Sequence, residues 1–327
     1  MNLLVLGQAH DPHVAKVLPH LKFQNVRILD HYSLPKITIF SSSGGFRLFV
    51  QGEEIDLNAP TVIWKRIKPR VNSGTRSLSD ESVEDDLFRQ EGWKNIINPI
   101  SEAFLNVRVL NNNFDSIRAQ YKIFQAKVAM EVGFSTLSTL FSNETDFIEF
   151  IGEDIAYKIL GSRNYPGSLG LTQRLSIDRI KTKEQNVRQV PSIFQPYCEK
   201  NFELRVICNL FEARAICIRS QENEKSETDW RADQFNIKYE SYKLFKEIDL
   251  KCIKFLKRCK LDIGIFDFIV NLDGECVFLE CNPDGQWSGY SEWADGDWEQ
   301  LFADAINAAR SDLCYRPDAF GGVRPRG

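Results

Sequence analysis

Histidine is nearly missing from this chain, with four residues in 327, all before residue 32. So few histidines fit a chemistry that needs no protein nucleophile, and no GxSxG elbow offers a serine nucleophile either. The dinucleotide signature GxGxxG is absent as well. The first strand, "NLLVLG", does end in glycine, but the following "GQAHDPH" is a poor phosphate cradle, so that stretch reads as scaffold. No apolar run reaches the length of a membrane span. A net charge of -4 gives no long-range attraction to nucleic acid. The eight cysteines (198, 208, 217, 252, 259, 276, 281 and 314) sit singly inside apolar segments, without a CxxC pair, and "MNLLVLGQAHDPH" is no secretory signal. They read as buried thiols of a cytoplasmic protein, since a zinc site would show paired spacing. Internal repeats and low-complexity segments are also lacking.

What remains is a globular chain with 43% hydrophobic residues, long enough for two or three lobes. "NLLVLG", "VAKVLPHL" and "VRILD" read as strand, helix and strand, a βαβ opening. "TIFSSSGGFRLFV" reads as a hairpin and "TVIWKRIKPR" as a strand entering a basic turn. The acidic "SDESVEDD" before Trp93, Ile97, Ile100 and Phe104 predicts a helix from Asp80 to about residue 105, with negative charge at its positive end. The polar "VLNNNFDS" near residue 111 marks a first boundary. Beyond it, Ile117, Tyr121, Phe124 and Val128 fall on one helical stripe that stops at Gly133, and Lys122 lies beside that stripe. In "IAYKIL", alternation puts Lys158 on one face with Ala156 and Leu160. Lys158 is thus either a lysine reaching out to water or a cation turned to a ligand. The glycine-rich 161–173 follows, readable as a lid closing on phosphate or as a plain surface loop.

A strand reaching Gln195 and Pro196 precedes an antiparallel pair, "LRVICNL" and "ARAICIRS", which carries Glu203, Arg205 and Arg219. "TDWR" at 228–231 and a helix within "ESYKLFKEIDLKCIKFLKRC" come next. The last hairpin, "GIFDFIVNLDGECVFLECNPDGQW", strands Asp267, Glu280 and Asn282 among apolar residues. Each alone reads as an edge polar residue of a half-buried sheet. Asp273-Gly274, however, predicts a two-residue type I′ turn, and pairing out from it sets Asp267 opposite Glu280. Asn282 then shares their face, while Cys281 points into packing.

This order of parts, with a lysine on a helix, a lysine on a strand, a glycine-rich loop, a hinge, and Asp then Glu-x-Asn on the last strands, resembles the ATP-grasp ligases. "FLECNPDGQW", "FELRV" and "DWR" resemble in particular the maturases of microviridin-type graspetides, which cross-link side chains of ribosomally made precursor peptides. The resemblance implies an α/β ATP-grasp fold: an N-terminal βαβ pre-ATP-grasp domain over 1–111, a central lobe over 112–192, a C-terminal antiparallel-sheet lobe over 193–312 and a tail over 313–327. It implies that Lys122 and Lys158 bind ATP phosphates and the adenine edge, that Gln195 and the backbone near Tyr197 and Cys198 hold adenine, and that Glu203 takes the ribose hydroxyls. Arg231 would face the γ-phosphate and, with Lys158, serve the chemistry, while Asp267, Glu280 and Asn282 would ligate magnesium. It further implies a precursor peptide of leader and core as partner, and a homodimer.

The residue types suit that chemistry. Facing carboxylates repel unless a cation lies between them, and magnesium prefers such hard oxygens. Phosphoryl transfer to a carboxylate asks for positioning and charge stabilisation, which lysines, an arginine and a metal supply without a protein nucleophile. An Asp or Glu side chain would become an acyl phosphate, then be attacked by a Ser or Thr hydroxyl or a Lys amine. Two other readings stand beside this one. An ATP-grasp ligase could join a carboxylate and an amine on an amino acid, a small molecule or a protein terminus. A non-catalytic peptide-binding subunit would have lost a metal ligand or a phosphate lysine, and none is lost here.

Overall fold

The structure is a computed structural model, described here over residues 1–67, 83–160, 170–294 and 297–314. Most of the glycine-rich segment 161–173, the start of the acidic segment at 79–82 and nearly all of the tail lie outside the described residues. The chain forms two compact units, Met1–Asn113 with the segment from Glu299 onward, and Phe114–Trp298.

In the first unit, β1 (Asn2–Gly7), α1 (Pro12–Val17) and β2 (Asn25–Leu29) form the expected βαβ start, the strands pairing in parallel. β3 (Ile37–Ser42), β4 (Gly45–Val50) and β5 (Glu53–Ile55) make an antiparallel three-stranded sheet. β6 (Thr61–Arg66), α2 (Val83–Ile97) and β7 (Val107–Leu110) complete a parallel sheet of order β2-β1-β6-β7. Helix α2 stops at Ile97 and does not run to residue 105; Pro99 disfavours helical backbone at the preceding residue, and a single 3-10 turn follows at Ile100–Ala103.

The second unit begins with α3 (Asn113–Gln120) and α4 (Lys122–Val132), two helices where the sequence predicts one stripe. Tyr121 breaks it with extended backbone (φ -68°, ψ 117°). Ile117 and Tyr121 are therefore exposed, whereas Val128 is buried. Gly133 ends α4 in the left-handed region, as expected. β8 (Ser135–Thr136) and β9 (Leu140–Ser142) follow, then β10 (Asp154–Ile159), β11 (Gln173–Ser176), α5 (Ile177–Lys181), α6 (Glu184–Gln189) and β12 (Ser192–Pro196). One sheet has the order β11-β10-β12-β9 and packs Ile155 and Phe194 with Ile180 and Val187 of α5 and α6.

β13 (Lys200–Asn209), β14 (Ala213–Ile218), β15 (Tyr239–Tyr242), α7 (Lys246–Cys259), β16 (Ile263–Asn271) and β17 (Cys276–Asn282) build the other sheet, of order β15-β14-β13-β16-β17-β8. The helix predicted within 240–259 starts only at Lys246, because Tyr239–Tyr242 pairs with β14. One sheet face is greasy: Leu204, Val206, Cys208, Phe266 and Phe268 pack on α7, where Phe255 meets Phe266 at 5.3 Å between ring centroids. That burial drives the sheet onto its helices and leaves the opposite face for polar side chains. The last helix, α8 (Trp298–Cys314), joins the first unit, where Phe302 packs on Trp64 at 5.1 Å. Among the described residues, no helix is long and apolar enough to cross a membrane.

Candidate active site

The restart of the helix at Tyr121 puts Lys122 in the first turn of α4, where its ammonium meets the Glu280 carboxylate. On β10, Lys158 bonds inward, not out to water: Nζ donates to Gln195 Oε1 at 3.0 Å, and the Gln195 amide donates to Thr139 Oγ1 at 2.9 Å. Burial lowers the pKa of Lys158, opposed by the nearby Glu280 charge. At the end of β12 the Tyr197 N–H donates to the Asp154 carbonyl at 2.8 Å, so this hinge amide is already used.

On β13, Glu203 and Arg205 share the face opposite Leu204 and Val206. Glu203 accepts from Lys200 Nζ at 2.8 Å, both residues being buried. Burial raises the Glu203 carboxyl, against the lowering pull of Lys200. Arg205 stands in register with Asp267 and donates from Nη1 to Oδ1 at 2.8 Å and Oδ2 at 3.1 Å. The same guanidinium donates to the Gln286 carbonyl from Nε at 3.1 Å and Nη2 at 2.6 Å.

Asp267 faces Glu280, and Asn282 lies two residues along β17. The turn is not the predicted two-residue type I′. Leu272, Asp273 and Gly274 form a three-residue loop closed by Asn271 and Glu275, with positive φ at Gly274 (80°) but not at Asp273. The register shifts by one residue between Asp267 and Phe268, which leaves Leu279 bulged. The bulge lets Phe278 enter the core with Phe268 while Glu280, two residues on, turns to the opposite face beside Asp267. Cys281 is 1% exposed and packs into the core, as predicted.

"DWR" closes the site. Asp229 accepts from the Arg231 backbone N–H at 3.1 Å and side-chain Nε at 2.9 Å on Oδ1, and from Arg231 Nη2 at 2.6 Å and the Thr172 N–H at 2.9 Å on Oδ2. Burial would raise the Asp229 carboxyl, but Arg231 brings it below the ordinary value.

One cavity of about 780 Å³ gathers Lys122, Lys158, Gln195, Tyr197, Cys198, Glu203, Arg231, Asp267, Glu280 and Asn282 within the second unit. Six cations and four carboxylates line it, an excess of positive charge that suits a polyphosphate. The two facing carboxylates differ. Burial pushes Asp267 up to about 6 despite Arg205, with Glu280 adding to the rise. For Glu280, burial also raises, but Lys122 and then Lys158 and Arg231 outweigh it, so its carboxyl falls below the usual value. No group of three or more His, Cys, Asp or Glu gathers for a metal among the described residues. Asp267, Glu280 and Asn282 offer two carboxylates and an amide oxygen, the last accepting the Asp284 N–H at 3.1 Å, and such hard oxygens would suit a divalent cation that keeps water and phosphate ligands better than zinc.

Sequence reasoning did not nominate Lys200, Arg205, Asp229 or Gln125, which all line the same cavity. Arg205 carried a signal, being two residues from Glu203 on an apolar strand. Its pairing with Asp267 depends on long-range register that local pattern does not contain.

No family model matches the sequence, and no curated protein does. The fold has close counterparts among solved structures. A RiPP-associated ATP-grasp ligase of Chryseobacterium gregarium, in complex with ADP and a leader and core peptide, is 21% identical with a TM-score of 0.77, over 95% of this chain and 96% of that one. The macrocyclase MdnC of Microcystis aeruginosa, bound with its precursor peptide MdnA, is 20% identical with a TM-score of 0.73, over 94% and 99%. The ATP-grasp ligase PsnB, complexed with minimal precursor, Mg and ADP, is 19% identical with a TM-score of 0.70, over 94% and 97%. Two sheets flanked by helices, with the charged cavity lined from both, are thus the ATP-grasp fold.

Proposed function

We propose that this protein is an ATP-dependent ligase that cross-links side chains of a ribosomally made precursor peptide. One observation carries the reading: four lysines, two arginines and the oxygens of Asp267, Glu280 and Asn282 converge in one cavity of an ATP-grasp fold. The related folds in complex with ADP and peptides support the substrate classes.

In this reading Lys122 and Lys158 hold phosphate oxygens, and Gln195 with the Cys198 backbone meets the adenine edge, the Tyr197 amide being committed elsewhere. Glu203 takes the ribose hydroxyls. Asp267, Glu280 and Asn282 would hold magnesium, which neutralises phosphate charge as it develops. A carboxylate oxygen of the peptide attacks the γ-phosphorus of ATP, ADP leaves, and an acyl phosphate results. Arg231 lies within reach of that charge, with Asp229 holding the guanidinium in place. A Ser or Thr hydroxyl or a Lys amine then attacks the acyl carbon and phosphate departs, giving an ester or an amide.

The test is mass spectrometry of a candidate precursor incubated with enzyme, ATP and magnesium. Loss of one water per cross-link is expected. A product heavier by an added amino acid would instead favour a ligase joining a free amine to a carboxylate.

A further inference from the structure

Gln125 is 2% exposed and makes no contact that packing alone would ask of a glutamine. Its Nε2 donates to the carbonyls of Ala119 and Cys281, both at 2.7 Å, and its Oε1 accepts the Cys281 N–H at 2.9 Å. One side-chain amide thus takes both backbone groups of the residue between Glu280 and Asn282. This is the hydrogen-bond pattern of a neighbouring strand. It is needed there because β8 covers β17 only at Val277 and Phe278, and among the described residues no strand pairs with the edge beyond. Left alone, that edge would hold buried polar backbone groups unsatisfied and free to shift.

Gln125 also sits one turn beyond Lys122 on α4, and Lys122 bonds the Glu280 side chain. The first turn of α4 therefore grips β17 twice, at a side chain through Lys122 and at the adjacent backbone through Gln125. The Leu279 bulge just upstream makes this second grip matter. A bulge relaxes the ladder locally, and here it must still aim Glu280 and Asn282 at one face while Cys281 stays in the core.

We propose that Gln125 is a positioning residue that stands in for a missing strand, fixing the spacing of the Glu280 and Asn282 oxygens for the metal that accompanies the nucleotide. The inference rests on the metal role given to those residues above. Both polar ends of Gln125 are committed to backbone groups, so its effect on the metal acts through β17. Groups that orient ligands of a metal commonly cost about 10- to 100-fold in affinity when lost.

The test measures Mn²⁺ affinity of the full-length protein with saturating ADP, by electron paramagnetic resonance, so that no turnover is needed. Gln125→Met keeps the buried volume and deletes the amide; Gln125→Asn, which keeps an amide one methylene short, is the milder second variant. Val128→Ala, an apolar truncation in the same helix and core, controls for lost stability. The expected result is at least about tenfold weaker Mn²⁺ binding in Gln125→Met and a smaller loss in Gln125→Asn, with ADP binding in the absence of metal unchanged and Val128→Ala like the parent. If Glu280→Gln abolishes Mn²⁺ binding while both Gln125 variants bind as the parent does, or if Val128→Ala weakens binding equally, Gln125 is only structural and the proposal falls. If Glu280→Gln itself binds Mn²⁺ normally, the metal assignment fails instead.

Discussion

Replacing Arg205 with Met strips two partners at once, the Asp267 carboxylate and the Gln286 carbonyl. Breaking a buried ion pair usually costs about 3–5 kcal/mol, because a charge is left unpaired. Asp267 has an escape. Burial already raises its carboxyl to about 6, so at neutral pH taking up a proton costs only on the order of 1 kcal/mol, and the ionic part of the loss is capped there. Loss of the two charge-assisted hydrogen bonds to the Gln286 carbonyl adds about 1–3 kcal/mol. The expected total at pH 7 is therefore about 2–4 kcal/mol, and near pH 5 only the carbonyl part should remain. The sign follows from the direction of the shift. With a folded pKa near 6 against an ordinary 3.8, the native state keeps a proton that the unfolded chain has released, so stability falls as pH rises through that window. Chemical unfolding of the parent, Arg205→Met, Asp267→Asn and the double variant, at both pH values, gives the coupling energy. It should be on the order of 1 kcal/mol near pH 7 and vanish near pH 5. A coupling that is absent at pH 7, or equal at the two pH values, would refute this reasoning.

Lys158→Met keeps the stem and deletes the charge, so nucleotide binding measured by calorimetry should weaken at least tenfold, about 1.4 kcal/mol; parental affinity would make Lys158 a partner of Gln195 and nothing more. Arg231→Lys should fold and bind ATP yet cross-link poorly by mass spectrometry, since lysine lacks the fork that grips Asp229 while facing the cavity. Unchanged cross-linking would leave Arg231 as a structural ion pair. Cys281→Ser buries a hydroxyl in an apolar pocket and should lower stability in thermal melts by about 1–3 kcal/mol while magnesium-dependent turnover persists. The opposite pattern would place the thiol in the chemistry.

The opposition of Asp267 and Glu280 was legible in the sequence for a partly accidental reason. The loop is one residue longer than an Asp-Gly hairpin predicts, because Asn271 Oδ1 accepts from the Asp273 N–H at 3.1 Å and the Glu275 N–H at 2.8 Å and so holds a wider turn. That displaces the pairing by one residue, and the Leu279 bulge displaces it back. Two local departures cancel at the site. Between them, Phe278 pairs opposite Phe268 and sits in the core, where plain alternation from Glu280 would have turned it to the polar face of the sheet. The break at Tyr121 was illegible for a related reason. Ile117, Tyr121, Phe124 and Val128 keep helical spacing across it, and apolar periodicity carries no information about one residue's ψ.

The pairing of charges across the cavity separates residues that the sequence treats alike. Each of the four carboxylates has a cation: Asp267 has Arg205, Glu280 has Lys122, Glu203 has Lys200 and Asp229 has Arg231. These pairs offset the cost of removing carboxylates from water. Lys158 differs, since its ammonium donates to the neutral amide of Gln195, and burial lowers its pKa. A half-buried ammonium against an amide is less well compensated than one against a carboxylate, whereas Lys122 and Arg205 must release a carboxylate before they can meet an anion. An incoming polyphosphate would therefore gain more directly from Lys158 than from Lys122 or Arg205. The fold supports that arrangement through β10, which sets Ala156 opposite Gln195 and so brings the lysine and its amide partner to one face of the sheet.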